Sequence, residues 1–174
     1  MTKGGGEELF DFSESVVIAA PHEQVWSVLS DIDGWWLASN HEHEGLEHLD
    51  SLPPTQVGAR LRIREKIGGI PGVAEGTITA VDPGTAVTWE ADALYRWFGI
   101  PLRVGEGVTW RAEPAGEAKT RVSARVWARF PEHLVGRVAA FAFVHLLNGI
   151  EKDREHARTE LRYLKSVIED PPTA

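Results

Sequence analysis

The C-terminal stretch from Glu132 to Ile168 constrains the fold most, because its apolar residues recur at helical spacing over an unusual length. Its second half carries a narrow apolar stripe, which consists of Ile150, Ala157, Leu161, Leu164 and Ile168. Such a stripe is typical of a helix docked on a sheet. Residues 138–147 are apolar almost all round, so a helix there needs cover from the sheet, loops, a ligand or a partner. We therefore predict one long C-terminal helix, with a possible break near Gly149.

The residues before this helix alternate in the way that strands of an antiparallel sheet do. Between residues 59 and 67 the apolar positions Ala59, Leu61, Ile63 and Ile67 alternate with Arg60, Arg62, Arg64 and Lys66. This period of two indicates a sheet with one dry and one wet face. Gly, Pro and Asp divide the region into short strands, and with a first strand over residues 13–20 we count seven. Pro21 starts a short helix after the first strand.

Charge and cysteine content exclude several classes of protein. The 174 residues include 18 basic and 26 acidic side chains, a formal net charge of −8, and no cysteine. Nucleic acid is therefore a poor partner, since its phosphates attract basic surfaces. Disulfides, a thiolate nucleophile and a Cys-ligated zinc site are excluded. The start of the chain lacks a signal-peptide core and no apolar run is long enough for a bilayer, so we expect a cytoplasmic protein.

The domain organisation is simple. The glycines near the start predict a flexible arm over residues 1–10, and Pro171 and Pro172 predict a flexible tail over residues 170–174. No linker or repeat divides residues 11–169, which we expect to form a single domain.

Three short motifs carry a resemblance to a known superfamily. Residues 20–31, APHEQVWSVLSD, are followed by Val57-Gly58-Ala59 and by residues 75–83, EGTITAVDP. In this order they resemble the START-like helix-grip superfamily, which includes birch-pollen-allergen-like proteins and polyketide cyclases. The resemblance implies an α+β helix-grip fold. In that fold a curved seven-stranded antiparallel sheet wraps around a long C-terminal helix, with two short helices after the first strand.

Two charged residues at apolar positions are the candidate catalytic groups. Glu65 lies on the apolar side of its strand, where it would either act as a general acid or base or meet water at the strand's end. Arg154 lies within the apolar stripe of the C-terminal helix. If buried, it needs an acidic partner such as Glu65 or a ligand head group; otherwise its long side chain reaches solvent.

Candidate ligand-binding residues come from the predicted sheet, two loops and the apolar half-helix. The loops contain Gly-Ile-Pro at residues 69–71 and 99–101, and glycines beside apolar tips suit either a lid or an ordinary hairpin. The candidates are Trp89, Trp110, Ile70, Tyr95, Arg96, Phe143 and Leu147.

A histidine pair offers a weaker candidate for a metal site. His41 and His43 would lie on one face of a strand, with Glu65 as a third ligand, a combination that can hold zinc. Their polar surroundings fit a solvated strand edge equally well. We assign no metal and no cofactor from the sequence, which has no Walker loop, Rossmann fingerprint or HExxH.

The leading functional hypothesis is binding of a hydrophobic small molecule, lipid-like or polyketide-like, in an internal cavity. The protein could also act on that molecule as a polyketide cyclase or aromatase. The alternatives are a non-catalytic lipid carrier and a protein-interaction module that uses the apolar half of the C-terminal helix to dock a partner or to form a homodimer.

Overall fold

The computed structural model describes residues 6–97 and 99–171. Seven strands form one sheet: β1 (Gly6–Ile18), β2 (His43–His48), β3 (Arg60–Ile67), β4 (Ile70–Asp82), β5 (Ala86–Trp97), β6 (Ile100–Gly116) and β7 (Lys119–Pro131). Their spatial order is β1-β7-β6-β5-β4-β3-β2, and every neighbouring pair is antiparallel. The predicted α+β helix-grip architecture, with its seven-stranded sheet, is confirmed.

Strand β1 starts earlier than the sequence predicted. It pairs with β7 from Gly6 onward, and the side chains of Phe10 and Phe12 are buried. The prediction of a flexible arm is therefore wrong for residues 6–10, because pairing with β7 and burial of these rings hold them in the sheet. Residues 1–5 of that arm and residues 172–174 of the predicted tail lie outside the described residues.

Strand β3 shows how the alternating pattern produces one dry face. Leu61 and Ile63 are fully buried, whereas Arg60 and Arg64 are exposed. The dry face continues across the sheet through Ile78, Trp89, Trp110 and Val122. Burial of each large apolar side chain stabilises the fold by about 1.5–3 kcal/mol. The concave interior of the sheet is thus the hydrophobic core.

Two short helices and a turn follow β1. Helix α1 (His22–Leu29) starts directly after Pro21, as predicted, and is followed by α2 (Ile32–Trp35) and a 3₁₀ turn (Leu37–Ser39). Trp35 is buried, and its indole N–H donates a 2.9 Å hydrogen bond to the carbonyl of Leu29. This bond fixes the turn between the two helices against the core.

The C-terminal region forms two helices, α3 (Leu134–His145) and α4 (Gly149–Glu169), that meet at an angle of 68°. The break falls where the sequence allowed one. Asn148 there adopts a left-handed conformation with φ of 51°, which Asn tolerates better than most residues. A Cβ added to Gly149 would lie 2.4 Å from the ring of Phe143, so glycine permits the close approach of the two helices. Helix α4 docks on the sheet through four buried stripe residues, Ala157, Leu161, Leu164 and Ile168.

Helix α3 is covered on one face only. Ala139 is buried on the side of the sheet, but Leu134 is 77% exposed and Val138 and Phe141 are each 60% exposed. Within the described residues the sheet and loops therefore cover only part of this helix, and cover of the rest by a ligand or a partner stays a prediction. Helix α3 has more apolar residues than the sheet can contact.

No single helix within residues 6–97 and 99–171 is both long and apolar enough to cross a membrane. The bent pair α3 and α4 meets the length and composition criteria only when both are taken together.

Candidate functional site

An apolar cavity of about 110 Å³ lies between the inner face of the sheet and helices α3 and α4. Tryptophans dominate its walls, which include Trp36, Trp89, Trp97, Trp110 and Trp127. On the side of α3, Phe143 closes the cavity, with its ring 5.7 Å from that of Phe130 and 6.4 Å from that of Phe10. This volume is close to that of cavities that accept one benzene-sized group.

Most of the predicted ligand-binding residues line this cavity. They are Trp89, Trp110, Ile70, Tyr95 and Phe143. Arg96 does not, because it follows Tyr95 on β5, where successive side chains point to opposite faces, and it is exposed. Leu147 lies in the break between α3 and α4 and is also not a lining residue.

Arg154 does not pair with Glu65. Its guanidinium donates a 2.7 Å hydrogen bond to Glu14 of β1 and lies 4.5 Å from the centre of the Phe12 ring. The rotation of α4 turns this position toward β1, whereas Asp153 and Ala157 face the cavity. Arg154 therefore holds the helix against the first strand in this structure.

Glu65 is buried at the polar end of the cavity, on the face of β3 that the alternation indicated. Its carboxylate lies 3.6 Å from Nε2 of His43 and 3.8 Å from Nε2 of His156. The Tyr95 hydroxyl oxygen lies 3.4 Å from it. Burial raises the pKa of Glu65 above its ordinary value, although the two histidines act in the opposite direction.

The predicted pair of histidines on one strand is not formed. His41 is exposed in the turn before β2, which begins only at His43. His43 is buried instead against His156 of α4, with their Nε2 atoms 2.9 Å apart. Glu160, one turn further along α4, lies 3.3 Å from Nε2 of His43 and 3.6 Å from Nε2 of His156.

His156 and Glu160 have strongly shifted and complementary pKa values. Burial alone would lower the pKa of His156, but its contacts with Glu160 and Glu42 raise it well above its ordinary value. Burial alone would raise the pKa of Glu160, but its contacts with His156 and His43 lower it to about 2. The pair is therefore stabilised in its charged form.

A second polar pair lies beside this cluster. The hydroxyl of Tyr95 donates a 2.9 Å hydrogen bond to Glu106 on the neighbouring strand β6. Burial and the charge of Glu65 raise the pKa of Glu106 well above its ordinary range. Burial also raises the pKa of Asp153, on the adjacent wall, to about 7. Carboxyl groups with raised pKa values are suited to exchange protons near neutral pH.

Sequence reasoning missed four of these polar residues, namely Glu106, Asp153, His156 and Glu160. A signal for three of them was present, since Asp153, His156 and Glu160 are spaced by three and four along α4 beside the apolar stripe. Ionisable residues at such positions share the buried face of the helix. Their partners on β2 and β3, however, are more than 80 residues away in sequence and are shown only by the fold.

The curved sheet that grips a C-terminal helix around an apolar cavity defines a helix-grip protein of the START-like superfamily. A family model described as polyketide cyclase/dehydrase and lipid transport matches residues 10–169, and the chain belongs to that family. A search of curated proteins gives no match.

Solved structures show the same fold at low sequence identity. The Zhui aromatase/cyclase of Streptomyces sp. R1128 is 14% identical with a TM-score of 0.68, over 95% of this chain and 99% of that one. A truncated norcoclaurine synthase from Thalictrum flavum is 13% identical with a TM-score of 0.67, over 98% and 99%. A START superfamily protein from Mycobacterium smegmatis is 19% identical with a TM-score of 0.51, over 84% and 97%.

Proposed function

We propose that this protein binds an apolar, ring-containing small molecule in its cavity and transfers protons on it, as a cyclase of the polyketide type does. The observation that carries the proposal is the position of Tyr95 and Glu106. Their 2.9 Å hydrogen bond lies where aromatic walls meet the polar end of the cavity. Membership of a family that includes polyketide cyclases supports the same reading.

The size of the cavity limits the ligand. A volume of about 110 Å³ is smaller than the roughly 300–1,000 Å³ of pockets that enclose drug-sized molecules. The cavity takes one aromatic or alicyclic ring as it stands. A longer polyketide-like chain would extend past Phe143, which contacts other rings but is only partly buried.

The chemistry of ring closure assigns a role to each polar group. Glu106, when ionised, removes a proton from the carbon between two carbonyl groups of the substrate, and its raised pKa makes it a stronger base than an ordinary carboxylate. The resulting carbanion forms a carbon–carbon bond to a second carbonyl carbon, whose oxygen gains the charge and then takes the proton that Glu106 removed. For this step the Tyr95 hydroxyl turns its single proton from Glu106 to that oxygen, so the acid and base functions lie side by side.

Two substitutions separate catalysis from binding. Glu106→Gln and Tyr95→Phe keep the shape of the cavity wall, so ring-sized apolar ligands should still quench or shift tryptophan fluorescence. Cyclisation of a poly-β-ketone should fall by about 10²-fold or more. Glu90→Gln, on the exposed face of β5, is the matched control. Unchanged cyclisation in both cavity variants would remove the pair from the mechanism.

Non-catalytic transport of a lipid-like molecule is a second candidate, and the surface of α3 favours it. This helix closes the cavity with Ala139 and Phe143 while Val138 and Phe141 on its other side are exposed. A carrier needs such an apolar surface beside its cavity to exchange ligand with a membrane. Co-sedimentation with lipid vesicles, lost in Val138→Ser/Phe141→Ser, supports the carrier; no association with vesicles argues against it.

A further inference from the structure

We propose that His43, Glu65, His156 and Glu160 form a binding site for a divalent transition-metal ion, with Zn²⁺ as the best-matched ion. The four residues come from β2, β3 and α4, so the ion would tie an edge of the sheet to the C-terminal helix. This site does not depend on the proposed acid and base roles of Tyr95 and Glu106.

The distances between the candidate ligand atoms match a tetrahedral site. Ligand atoms of His43, Glu65 and His156 all lie within 4.8 Å of one another. The two Nε2 atoms are 2.9 Å apart, and their separations from the Glu65 and Glu160 oxygens run from 3.3 to 3.8 Å. Zinc–ligand bonds of about 2.0–2.2 Å place neighbouring ligands of a tetrahedron about 3.3–3.6 Å apart. The two imidazoles would move apart by a few tenths of an ångström, and Glu160, which contacts both imidazoles but lies outside the group of three, would supply the fourth ligand by a side-chain movement.

The hydrogen bonds of the two imidazoles leave both Nε2 lone pairs facing the same point. Nδ1 of His43 lies 2.7 Å from the carbonyl oxygen of Trp36, and Nδ1 of His156 lies 3.0 Å from a carboxylate oxygen of Glu42. Both partners are acceptors, so Nδ1 of each ring carries a proton. In the charged form described above, His156 also carries a proton on Nε2 and donates it to Nε2 of His43, 2.9 Å away and beside two acceptor oxygens. A metal ion would take the place of that single proton and accept both Nε2 lone pairs.

The surrounding contacts are those that orient metal ligands. A histidine that binds a metal usually donates its second N–H to a carboxylate or a backbone carbonyl, and ligating carboxylates are themselves hydrogen-bonded. Glu42 and the Trp36 carbonyl supply the first kind of contact. The indole N–H of Trp36 donates to Glu160 at 3.1 Å, and the Tyr95 hydroxyl lies 3.4 Å from Glu65.

The donor set also indicates which ion would bind. Two imidazole nitrogens and two carboxylate oxygens suit zinc and its first-row neighbours, whereas Mg²⁺ and Ca²⁺ prefer oxygen ligands alone. All four residues are less than 9% exposed. The metal ion is therefore expected to enter the site slowly, and the bound ion to be shielded from bulk water.

The test is metal binding by the full chain, free of a polyhistidine tag and stripped with a chelator. Equilibrium dialysis against Zn²⁺ should give one ion per chain. Co²⁺ should give the strong visible absorption of a four-coordinate site rather than the weak absorption of aqueous Co²⁺. Absence of both in the wild-type protein, as expected if a shared proton joins the two imidazoles, overturns the proposal.

Variants identify the ligands. His43→Gln and His156→Gln should each weaken Zn²⁺ binding by more than about 100-fold, and Glu42→Gln by about 10–100-fold through the orientation of His156. His41→Gln is the matched control, since His41 is two residues from His43 but exposed. Equal binding in the wild type and in a folded His43→Gln/His156→Gln double variant overturns the assignment. If that double variant does not fold, the Co²⁺ spectrum of the wild-type protein still shows whether a four-coordinate site exists.

Discussion

A 2.9 Å hydrogen bond joins the Tyr95 hydroxyl to the Glu106 carboxyl group on the concave side of the sheet, where strands β5 and β6 are neighbours. The pair lies at the junction of an apolar cavity and a cluster of buried ionisable groups. An apolar ligand in the cavity therefore meets hydrogen-bonding and proton-exchanging groups at this junction.

The pH dependence of stability should report the burial of Glu106. Its pKa is raised in the folded protein by burial and by the charges of Glu65 and Asp153, while Tyr95 and His156 act in the opposite direction. An acid whose pKa is higher folded than unfolded destabilises the fold above its unfolded pKa, near 4.5. Glu106→Gln should thus raise the free energy of unfolding at pH 8 and have little effect at pH 4.

Urea denaturation of Glu106→Gln and wild type across this pH range measures the difference. Glu90→Gln, with an exposed side chain on β5, is the control and should show no such trend. A stabilisation that is equal at pH 4 and pH 8 would contradict the assigned burial.

Arg154 should matter for stability and not for ligand binding. It pairs with Glu14 at 2.7 Å across α4 and β1, with side chains 33% and 16% exposed. A partly exposed pair of this kind contributes about 1 kcal/mol or less. A double-mutant cycle of Arg154→Gln and Glu14→Gln should give a coupling free energy of that size. A large loss of ligand affinity in Arg154→Gln would instead return this residue to the binding site.

Filling the cavity should abolish binding with a small cost in stability. Ala139 of α3 is buried and lines the cavity, so Ala139→Phe places a ring in the space of about 110 Å³. Ligand affinity should fall at least about tenfold, equivalent to ~1.4 kcal/mol. Val138→Phe, one residue away and 60% exposed in the wild type, should bind ligand normally. Equal affinities in the two variants would place the ligand elsewhere.

The junction of α3 and α4 should tolerate no side chain at residue 149. A Cβ at Gly149 would lie 2.4 Å from the Phe143 ring, which closes the cavity. Gly149→Ala should lower the free energy of unfolding by about 1–3 kcal/mol through this overpacking. Gly105→Ala is the control, because its added Cβ would make only ordinary contacts at 3.8 Å. Thermal denaturation of both variants checks the expectation, and equal melting temperatures would contradict it.

The fold was predictable because its main signals are local. Alternation in β3 and the apolar stripe of α4 each arise within one element, and the burial of Glu65 followed from the same alternation. The exposure of α3 was not predictable from the sequence. Which of its residues contact the sheet depends on the angle between α3 and α4.

The polar cluster was only half predictable for a related reason. His43 and Glu65 were singled out, but with His41, which the turn before β2 places in solvent. The actual neighbour of His43 is His156, separated from it by 113 residues. The sequence predicted the wrong partner for Arg154, because the rotation of α4 about its axis decides which charged residues of the helix face the cavity. Such rotations depend on packing across the whole core.

Proton transfer inside the cavity is tested most directly by hydrogen–deuterium exchange on a ring-sized β-diketone, such as a phenyl-substituted 1,3-dione, in D₂O. NMR of the carbon between its carbonyls measures how fast Glu106 removes a proton, without the need for complete cyclisation. We predict exchange faster than in buffer by about 10²-fold or more with wild-type protein, and near the buffer rate with Glu106→Gln that still binds the dione. Exchange at the buffer rate with wild-type protein saturated by the dione would contradict the account.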